Sequence, residues 1–280
     1  MTVRRIGFAY NPTSEAAAGL RERAAAWCAA HKIDHWAAQA GETAELVAQL
    51  PTTDVLVVLG GDGTFLRAAQ AVAVVDVPIL GINLGKVGFL SKAEAHQLEP
   101  VLAQLVDGAF TVKERMGLAG AILPGGRTSE RTFTALNDIV IARGSLARVV
   151  RIEVTIDASH LATFVADGLV VSSPTGSTGY AFSAGGPILD PQSRNLIVTP
   201  IAGYLSAIRS IVVSPRQVVR CRVLDALEAL VSIDGREDHQ IAVGDVVEVR
   251  ALERPIRFVE PDGALPFWDL LRTKVALLPS

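Results

Sequence analysis

The first third of the chain alternates between short apolar runs and longer stretches in which apolar residues recur at helical spacing. This pattern predicts strands at RRIGFAY, IDHWAA, DVLVVLG and VPILGIN. It predicts helices at NPTSEAAAGLRERAAAWCAAH, ETAELVAQL, Thr64 to Val74 and EAHQLEPVLAQLVDG. Because strands that alternate with helices pair in parallel beneath a helical cover, we expect residues 1–112 to form an α/β domain with a parallel sheet.

The pattern changes after about Thr111, where helical spacing nearly disappears. Short β-branched runs separated by turn residues follow, among them VVRIEVTIDASH, ATFVADGLVVSS, RQVVRCRVL and VVEVRAL. They predict a β-rich, sandwich-like domain over residues 113–261. The last stretch, LPFWDLLRTKVALL, has helical spacing, and we expect a helix within residues 262–280 that packs back on the first domain. Two such domains predict a cleft between them, which is a favoured position for a ligand.

Composition and charge narrow the class of protein. Half of the 280 residues are apolar and a fifth are charged, as in a well-packed globular protein. The net charge of −3, with scattered lysines and arginines, does not favour a nucleic-acid partner. No apolar run approaches the ~18 residues of a membrane span, and the N-terminus lacks the apolar core of a signal peptide. Cys28 and Cys221 lie far apart, so we expect neither a disulfide nor a protein metal site, and a cytoplasmic location.

The stretch VLVVLGGDGTFLRAA joins a predicted buried strand to a helix through a glycine turn. Without Cβ atoms, Gly60, Gly61 and Gly63 allow positive φ and let a polyanion approach bare N–H groups. Asp62 then lies at the carboxyl end of a strand, where open α/β sheets bind ligands. The alternative is an ordinary strand-to-helix turn in which Asp62 only caps a helix that begins near Gly63 or Thr64.

Two further stretches place polar or aromatic residues beside apolar runs. In GINLGKVGFLS, a loop after a buried strand carries Phe89, which predicts either a platform for a stacked base or an ordinary core residue. In ALNDIVIARG, Asn137 and Asp138 interrupt an apolar run, and adjacent residues on a strand point to opposite faces. At least one of them should therefore meet a hydrogen-bonding partner or a ligand. Ribose hydroxyls would suit these side chains, and so would a turn or a capping role.

The segment ADGLVVSSPTGSTGYAFSAGGPILD has the most unusual composition in the chain. It places many hydroxyl side chains and glycines between two apolar runs, and this composition does not favour a hydrophobic core. Such a segment suits a helix N-terminus exposed to a polar ligand. Asp167 precedes the first of these apolar runs, so the segment carries a carboxylate at one end and hydroxyls at the other.

Taken in order, these segments resemble the motifs of the NAD kinase (ATP-NAD kinase) family over nearly the whole chain. The family pattern is GGDGT, then N-x-G-x-x-GFL, an Asn-Glu/Asp pair, TPTGSTAY-x-LSAGGP and a late Asp-Gly pair. The matching positions here are Gly60 to Thr64, Asn83 to Leu90, Asn137-Asp138, Ser173 to Pro187 and Asp234-Gly235. GGDGT alone is shared with diacylglycerol and sphingosine kinases and with phosphofructokinases. The serine-threonine-glycine block, in this order, is highly specific.

The resemblance implies a two-domain fold and transfer of the γ-phosphoryl group of ATP to the 2′-hydroxyl of the adenosine ribose of NAD. It implies that Asp62 accepts the hydroxyl proton and that Asn137 and Asp138 hold the adenosine ribose. The substrate-binding positions that it implies are Gly60, Gly61, Asp62, Gly63, Thr64, Arg67, Phe89, Asn137, Asp138, Arg148, Asp167, Thr178, Gly179, Tyr180, Ala181, Phe182, Ser183, Ala202 and Arg236. It further implies Mg²⁺ supplied with ATP, and a cytoplasmic homodimer or homotetramer.

Four positions depart from the family pattern. Lys86 replaces a usual Asn, Gly179 replaces the Ala of GSTAY, Tyr204 stands where His is common, and Arg236 stands where Gln is frequent. These changes leave Asp62 in place and bear on the nicotinamide half, on the preference for NAD or NADH, and on the subunit contact. Two other functions stay open from sequence: a lipid or sugar kinase that shares GGDGT, and a non-catalytic dinucleotide-binding regulator.

Overall fold

The computed structural model of the protein describes residues 3–85, 88–128, 131–144, 148–204 and 208–275. The chain divides into two compact units. The first comprises the residues up to Glu114 together with those from Ile256 onward, and the second comprises Arg115–Pro255. The second unit is therefore an insertion within the first.

The helices and strands of the described residues alternate at first and then become almost entirely strands. The strands are β1 (Arg5–Tyr10), β2 (Asp34–Gln39), β3 (Val55–Leu59), β4 (Ile79–Asn83), β5 (Ala93–Glu94), β6 (Phe110–Arg115), β7 (Leu118–Leu123), β8 (Arg131–Ala135), β9 (Asp138–Arg143), β10 (Val150–Ile156), β11 (Ser159–Ala166), β12 (Gly168–Ser172), β13 (Leu196–Ile201), β14 (Ile211–Val213), β15 (Val219–Asp225), β16 (Ala229–Ile233), β17 (Glu237–Ile241), β18 (Val246–Ala251) and β19 (Ile256–Pro261). The helices are α1 (Glu15–Ala30), α2 (Thr43–Gln49), α3 (Asp62–Val74), α4 (Leu98–Asp107), α5 (Tyr180–Ser183) and α6 (Phe267–Val275).

The first unit is built on one sheet with the strand order β2-β1-β3-β4-β19-β6, and β5 lies beside β4. Strands β1 to β4 pair in parallel, with Ile6 opposite Val55 and Leu56 opposite Ile79. Every residue of β3 is buried, as expected of a parallel strand that is covered on both faces. This arrangement confirms the α/β prediction for the first third of the chain.

The second unit contains two antiparallel sheets of six described strands each. Their orders are β11-β10-β15-β18-β7-β8 and β14-β13-β12-β9-β16-β17. Buried apolar side chains of both sheets join one core, in which Ile139 and Leu169 of one sheet lie among residues such as Leu118 and Val154 of the other. Two sheets that share one core form a sandwich, which confirms the β-rich prediction.

The expected boundary at residue 261 differs from the structure at β19. This strand pairs in parallel with β4, where Phe258 lies opposite Ile79, and so belongs to the first unit. Its short β-branched run looks like the neighbouring antiparallel strands, because sequence pattern reports a strand but not its partner. Ion pairs from Arg257 to Asp76 at 2.8 Å and from Glu260 to Lys92 at 2.7 Å tie β19 to the first unit.

None of the described helices combines the length and the apolar character that crossing a membrane requires.

Candidate active site

The glycine turn links the buried strand β3 to the start of α3. The helix begins at Asp62, one or two residues before the predicted start, and Gly61 is its N-cap residue with φ −82° and ψ −177°. Gly63, in the first turn, is exposed. The N–H groups of a first helical turn have no partner within the helix and carry the positive end of its dipole. This end of α3 therefore suits an anionic ligand.

Asp62 does not cap α3. In the described structure its side chain makes no capping bond to the helix, and Oδ2 instead accepts a hydrogen bond from the N–H of Phe89 at 3.3 Å. Oδ1 is buried and has no hydrogen-bond partner among the described residues. A buried carboxylate oxygen without a donor is costly unless it serves a ligand, so the structure does not support the capping alternative.

The surroundings of Asp62 make its carboxylate a better proton acceptor. Burial raises its pKa above the ordinary value, while hydrogen bonds from the N–H groups of Phe89 and Leu90 and the positive charge of Lys274 oppose that rise. The raised pKa moves the carboxylate towards the range in which a general base works at neutral pH.

Gly88 is the residue that lets the neighbouring loop approach Asp62. A Cβ built on Gly88 would lie 2.7 Å from Cγ of Asp62, closer than real Cβ atoms come to other atoms. The N–H of Gly88 is bonded to the hydroxyl of Ser91 at 2.8 Å, which fixes the loop in that position. Any larger residue at position 88 would displace the carboxylate.

The other predicted residues of the first unit differ in their exposure to solvent. Thr64 is buried in α3, whereas Arg67, one turn further along, is exposed. Phe89 is half-buried, and its ring centre lies 6.3 Å from that of Phe267 in α6. The ring is thus a packing partner of α6 that keeps part of its surface exposed. Lys86 lies outside the described residues.

A cavity of about 460 Å³ opens on the outer face of the second sheet of the sandwich. Its lining comprises Asn137, Asp138, Val140, Ala142, Tyr180, Leu230, Ser232, Asp234, Gly235 and Asp238. Alternate residues of β9 and β16 reach this face because side chains along a strand alternate between its two sides. Val140 lies directly opposite Ser232 in the pairing of these strands.

Asn137 and Asp138 both belong to the residues that line the cavity. Strand β9 begins only at Asp138, and Asn137 precedes the regular alternation. The carbonyl oxygen of Asn137 accepts hydrogen bonds from the N–H of Ser173 at 2.8 Å and the hydroxyl of Ser172 at 3.1 Å. Its side-chain Oδ1 is buried without a partner in the described part of the chain, which leaves it for a ligand.

Asp234 fixes the backbone beside the cavity at the start of β9, although sequence reasoning did not include it among the binding residues. Its carboxylate accepts hydrogen bonds from the N–H groups of Leu136, Asn137 and Asp138 at 2.9, 2.7 and 3.2 Å. Asp234 and Gly235 both have positive φ, at 50° and 64°, in the turn between β16 and β17. The Asp-Gly pair between two strands was the available sign, because it is typical of such hairpins.

The carboxylates of Asp138 and Asp234 are both buried, with 5% and 7% of each residue exposed. Burial and the neighbouring Asp234 raise the pKa of Asp138 to about 7. Burial also raises the pKa of Asp234, but its three backbone N–H partners and the charge of Arg236 oppose that effect. None of the described residues donates a hydrogen bond to the carboxyl group of Asp138. A single proton shared by these two carboxylates is therefore held by Asp138.

The hydroxyl-rich segment divides into a structural part and an exposed part. Ser173 donates to the carbonyl of Leu136 at 2.5 Å, and Ser177 accepts from the N–H of Leu189 at 3.0 Å. A Cβ on Gly176 would collide with the backbone of Asn137. These buried hydroxyls therefore satisfy backbone groups rather than a ligand, which corrects that part of the prediction.

The stretch from Thr178 to Ser183 follows this buried part and leads into the short helix α5. Tyr180 and Phe182 are exposed, Ala181 is buried against the outer face of β9 and β12, and Gly179 lies near the carboxylate of Asp138.

Of the predicted residues of the second unit, Asn137, Asp138 and Tyr180 line this cavity, and the others lie outside its lining. The carboxylate of Asp167 forms a bidentate ion pair with the guanidinium group of Arg143. Its Oδ1 lies 2.8 Å from Nε, and its Oδ2 lies 3.1 Å from Nη2. Arg148 is exposed. Ala202, with a φ of 48°, borders a separate cavity of about 270 Å³ that Arg209 also lines. Within the described ranges, no group of three or more His, Cys, Asp or Glu side chains is placed to hold a metal ion.

A glycine turn that suits an anion in an α/β unit, and a cavity with two buried carboxyl groups in a β-rich unit, agree with a two-domain nucleotide-binding protein. Residues 3–110 match the family model described as the ATP-NAD kinase N-terminal domain, and residues 136–261 match that of the ATP-NAD kinase C-terminal domain. The chain belongs to the NAD kinase family, as its sequence motifs predict, and is an ATP-dependent kinase.

Individual relatives agree with this assignment. The chain is 36% identical to the NAD kinase of Dehalococcoides mccartyi over 97% of its own length and 96% of the relative. It is 43% identical to the NAD kinase of Moorella thermoacetica over 79% of its length and 70% of that protein. These matches cover far more than the GGDGT turn, so they do not favour a lipid or sugar kinase.

Two solved structures share the fold. Yeast NADH kinase, complexed with NADH, superimposes with a TM-score of 0.84 at 23% identity, over 99% of this chain and 88% of that one. An NAD kinase from Archaeoglobus fulgidus, in complex with ATP, superimposes with a TM-score of 0.78 at 26% identity, over 98% of this chain and all of that one.

Proposed function

We propose that the protein transfers the γ-phosphoryl group of ATP to the 2′-hydroxyl of the adenosine ribose of NAD, with Asp62 as the acceptor of the hydroxyl proton. The observation that carries this proposal is the unpartnered Oδ1 of Asp62, which is buried and receives no hydrogen bond from the described residues. A hydroxyl that becomes a nucleophile needs such an acceptor within hydrogen-bond reach. The raised pKa of Asp62 supports this role.

The start of α3 would receive the phosphates of ATP. Phosphoryl transfer depends on positioning and charge stabilisation more than on covalent help from the protein. The first-turn N–H groups of α3 near Gly61 and Gly63 offer hydrogen bonds and the positive end of the helix dipole.

Mg²⁺ fits this site as a companion of ATP. It binds mainly to phosphates and water with one or two carboxylates, and the described residues include no ready-made cage of side chains. When bound, it neutralises charge on the phosphates. The chain's own residues position the reactants and take up the proton.

The second unit would hold the acceptor dinucleotide. Asn137, whose Oδ1 has no partner among the described residues, and Asp138 line a cavity of a volume that suits part of a dinucleotide. Gly179, Tyr180 and the rest of the stretch to Ser183 continue from this cavity to the surface. Asp167, Arg148 and Ala202 remain expected contacts from family resemblance, although Asp167 must share its carboxylate with Arg143.

Exchange of Asp62 for Asn tests the proposed base. Asn can still accept the hydrogen bond of Phe89 but cannot take up a proton, so we expect kcat to fall by ~10²–10⁴ while NAD affinity is retained. Production of NADP would be followed with saturating ATP and Mg²⁺, beside an Asp107→Asn control at an exposed helix end. An Asp62→Asn protein that turns over within about tenfold of the parent contradicts the proton-acceptor role.

The proposal extends to a cytoplasmic homodimer or homotetramer. Tyr204 of the second unit exposes 69% of its surface and stands at one of the departures from the family pattern that bear on the subunit contact. Light scattering coupled to size exclusion measures the mass of the assembly, and a monomer across micromolar concentrations would contradict this part.

A further inference from the structure

The last turn of α6 lies against the loop that contacts Asp62. Phe267 and Lys274 are seven residues apart, which places them on one face of the helix two turns from each other. The ring centre of Phe89 lies 6.3 Å from that of Phe267 and 6.0 Å from the ammonium nitrogen of Lys274. The N–H of this same Phe89 donates to the carboxylate of Asp62. Phe89 thus connects the end of α6 to the glycine turn.

Lys274 is held beside this turn without a carboxylate of its own. It is half-buried, and in the described part of the chain no carboxylate lies within ion-pair distance of its ammonium group. Its position over the ring of Phe89 is that of a cation–π contact. Its charge also acts on the carboxylate of Asp62, whose pKa it lowers.

The other positively charged side chains of these elements either pair with a carboxylate or are exposed to solvent. Lys92, further along the same loop, forms an ion pair with Glu260 at 2.7 Å. Arg272, on the same helix, is 82% exposed at its side chain and pairs with Asp269 at 3.4 Å. Arg67 of α3 is exposed to solvent. Among the described residues, Lys274 is therefore the cation held next to Asp62 by packing.

We propose that Lys274 is a further nucleotide-binding residue of this site, whose ammonium group binds the phosphoryl groups of ATP received at the start of α3. The proposal rests on the proposed function, since it assumes that the phosphates occupy that end of the helix. A lysine ammonium is a compact charge that binds phosphate oxygens well. The helix dipole and Lys274 would then act on the same anion from two elements of the first unit.

The test replaces Lys274 with Met, which keeps the length that packs over Phe89 and removes the charge. We expect the dissociation constant of ATP to rise by about tenfold or more, since hydrogen bonds to charged groups are stronger than neutral ones. The Arg272→Met variant removes the same charge from the same helix and should bind ATP as the parent does. Lys274→Arg restores a cation and should recover part of the affinity. Circular dichroism checks that each variant is folded.

Two measurements separate this proposal from the proposed role of Asp62. Calorimetric ATP binding in an Asp62→Asn background tests Lys274 without any turnover, so it stands even if Asp62 is not the base. In the parent background, loss of the Lys274 charge should move the acidic limb of the pH profile of kcat/KM to higher pH, because Asp62 loses a positive neighbour. A folded Lys274→Met protein with parental ATP affinity overturns the proposal, whether or not the acidic limb moves.

Discussion

Exchange of Asp138 for Asn should stabilise the protein in a strongly pH-dependent way. Asp138 is 5% exposed, and burial together with the neighbouring Asp234 raises its pKa from the ordinary value of 3.8 to about 7. A carboxyl group with a raised pKa contributes stability that is fully present below the unfolded pKa and is lost as pH rises through the folded pKa. The parent should therefore lose this contribution between about pH 4 and pH 7, when Asp138 ionises beside Asp234.

The magnitude follows from the size of the shift. Between about pH 5 and the pKa of about 7, Asp138 is protonated in the folded protein and ionised in the unfolded chain, so the free energy of unfolding falls as pH rises. Over these two pH units the fall is about 3 kcal/mol, and it is complete by about pH 8. Asn is neutral throughout and breaks no side-chain hydrogen bond from the described residues. The difference in stability between Asp138→Asn and the parent should therefore grow by about 3 kcal/mol from the lower to the higher pH.

Urea unfolding at both pH values measures this difference. Asp238→Asn is a matched control, because Asp238 lines the same cavity but is exposed. If the stability difference between Asp138→Asn and the parent is the same at both pH values, the reasoning about a buried, protonated Asp138 is refuted.

Three further variants test individual contacts. Asn137→Ala should weaken NAD binding by ~0.5–1.5 kcal/mol for each hydrogen bond lost, measured by calorimetry; unchanged affinity in a folded protein would remove Asn137 from the site. Gly88→Ala should lower kcat about a hundredfold by displacing the carboxylate of Asp62, and full activity would show that the loop can move away. Gly179→Ala should change the free energy of unfolding by about 1 kcal/mol or less, because φ is negative at −98° and the backbone needs to shift by only a few tenths of an ångström to relieve the tight 3.3 Å contact of its Cβ with the carbonyl oxygen of Gly176; a sharp loss of stability in urea would contradict this.

Sequence patterns predicted the two kinds of structure because they report local periodicity. Strand β3 and helix α3 follow from an apolar run, a glycine turn and helical spacing, all within a few residues. The partner of a strand is a long-range property, and so β19 was assigned to the wrong unit. Pattern alone could not reveal that this strand returns to pair with β4.

The candidate site shows the same limit. Asp62 and Asn137 were identified from unusual local composition and from family resemblance. The roles of Gly88, Asp234 and Lys274 depend on contacts across the fold: a loop against a carboxylate, a turn against three N–H groups, and a helix end over a ring. The buried serines were misread for a related reason, since sequence does not show whether a hydroxyl meets a ligand or a backbone group.

The return of β19 to the first sheet affects how the protein is completed during synthesis. In the sheet, β19 lies between β4 and β6, yet the ribosome makes it only after the whole second unit. Until then the nascent first unit has open strand edges, whereas the second unit already holds all its strands. The unit that starts the chain is therefore the last to mature. Because α6 follows β19 directly, a chain stopped after Pro255 would carry the glycine turn without the strand and helix that complete its surroundings.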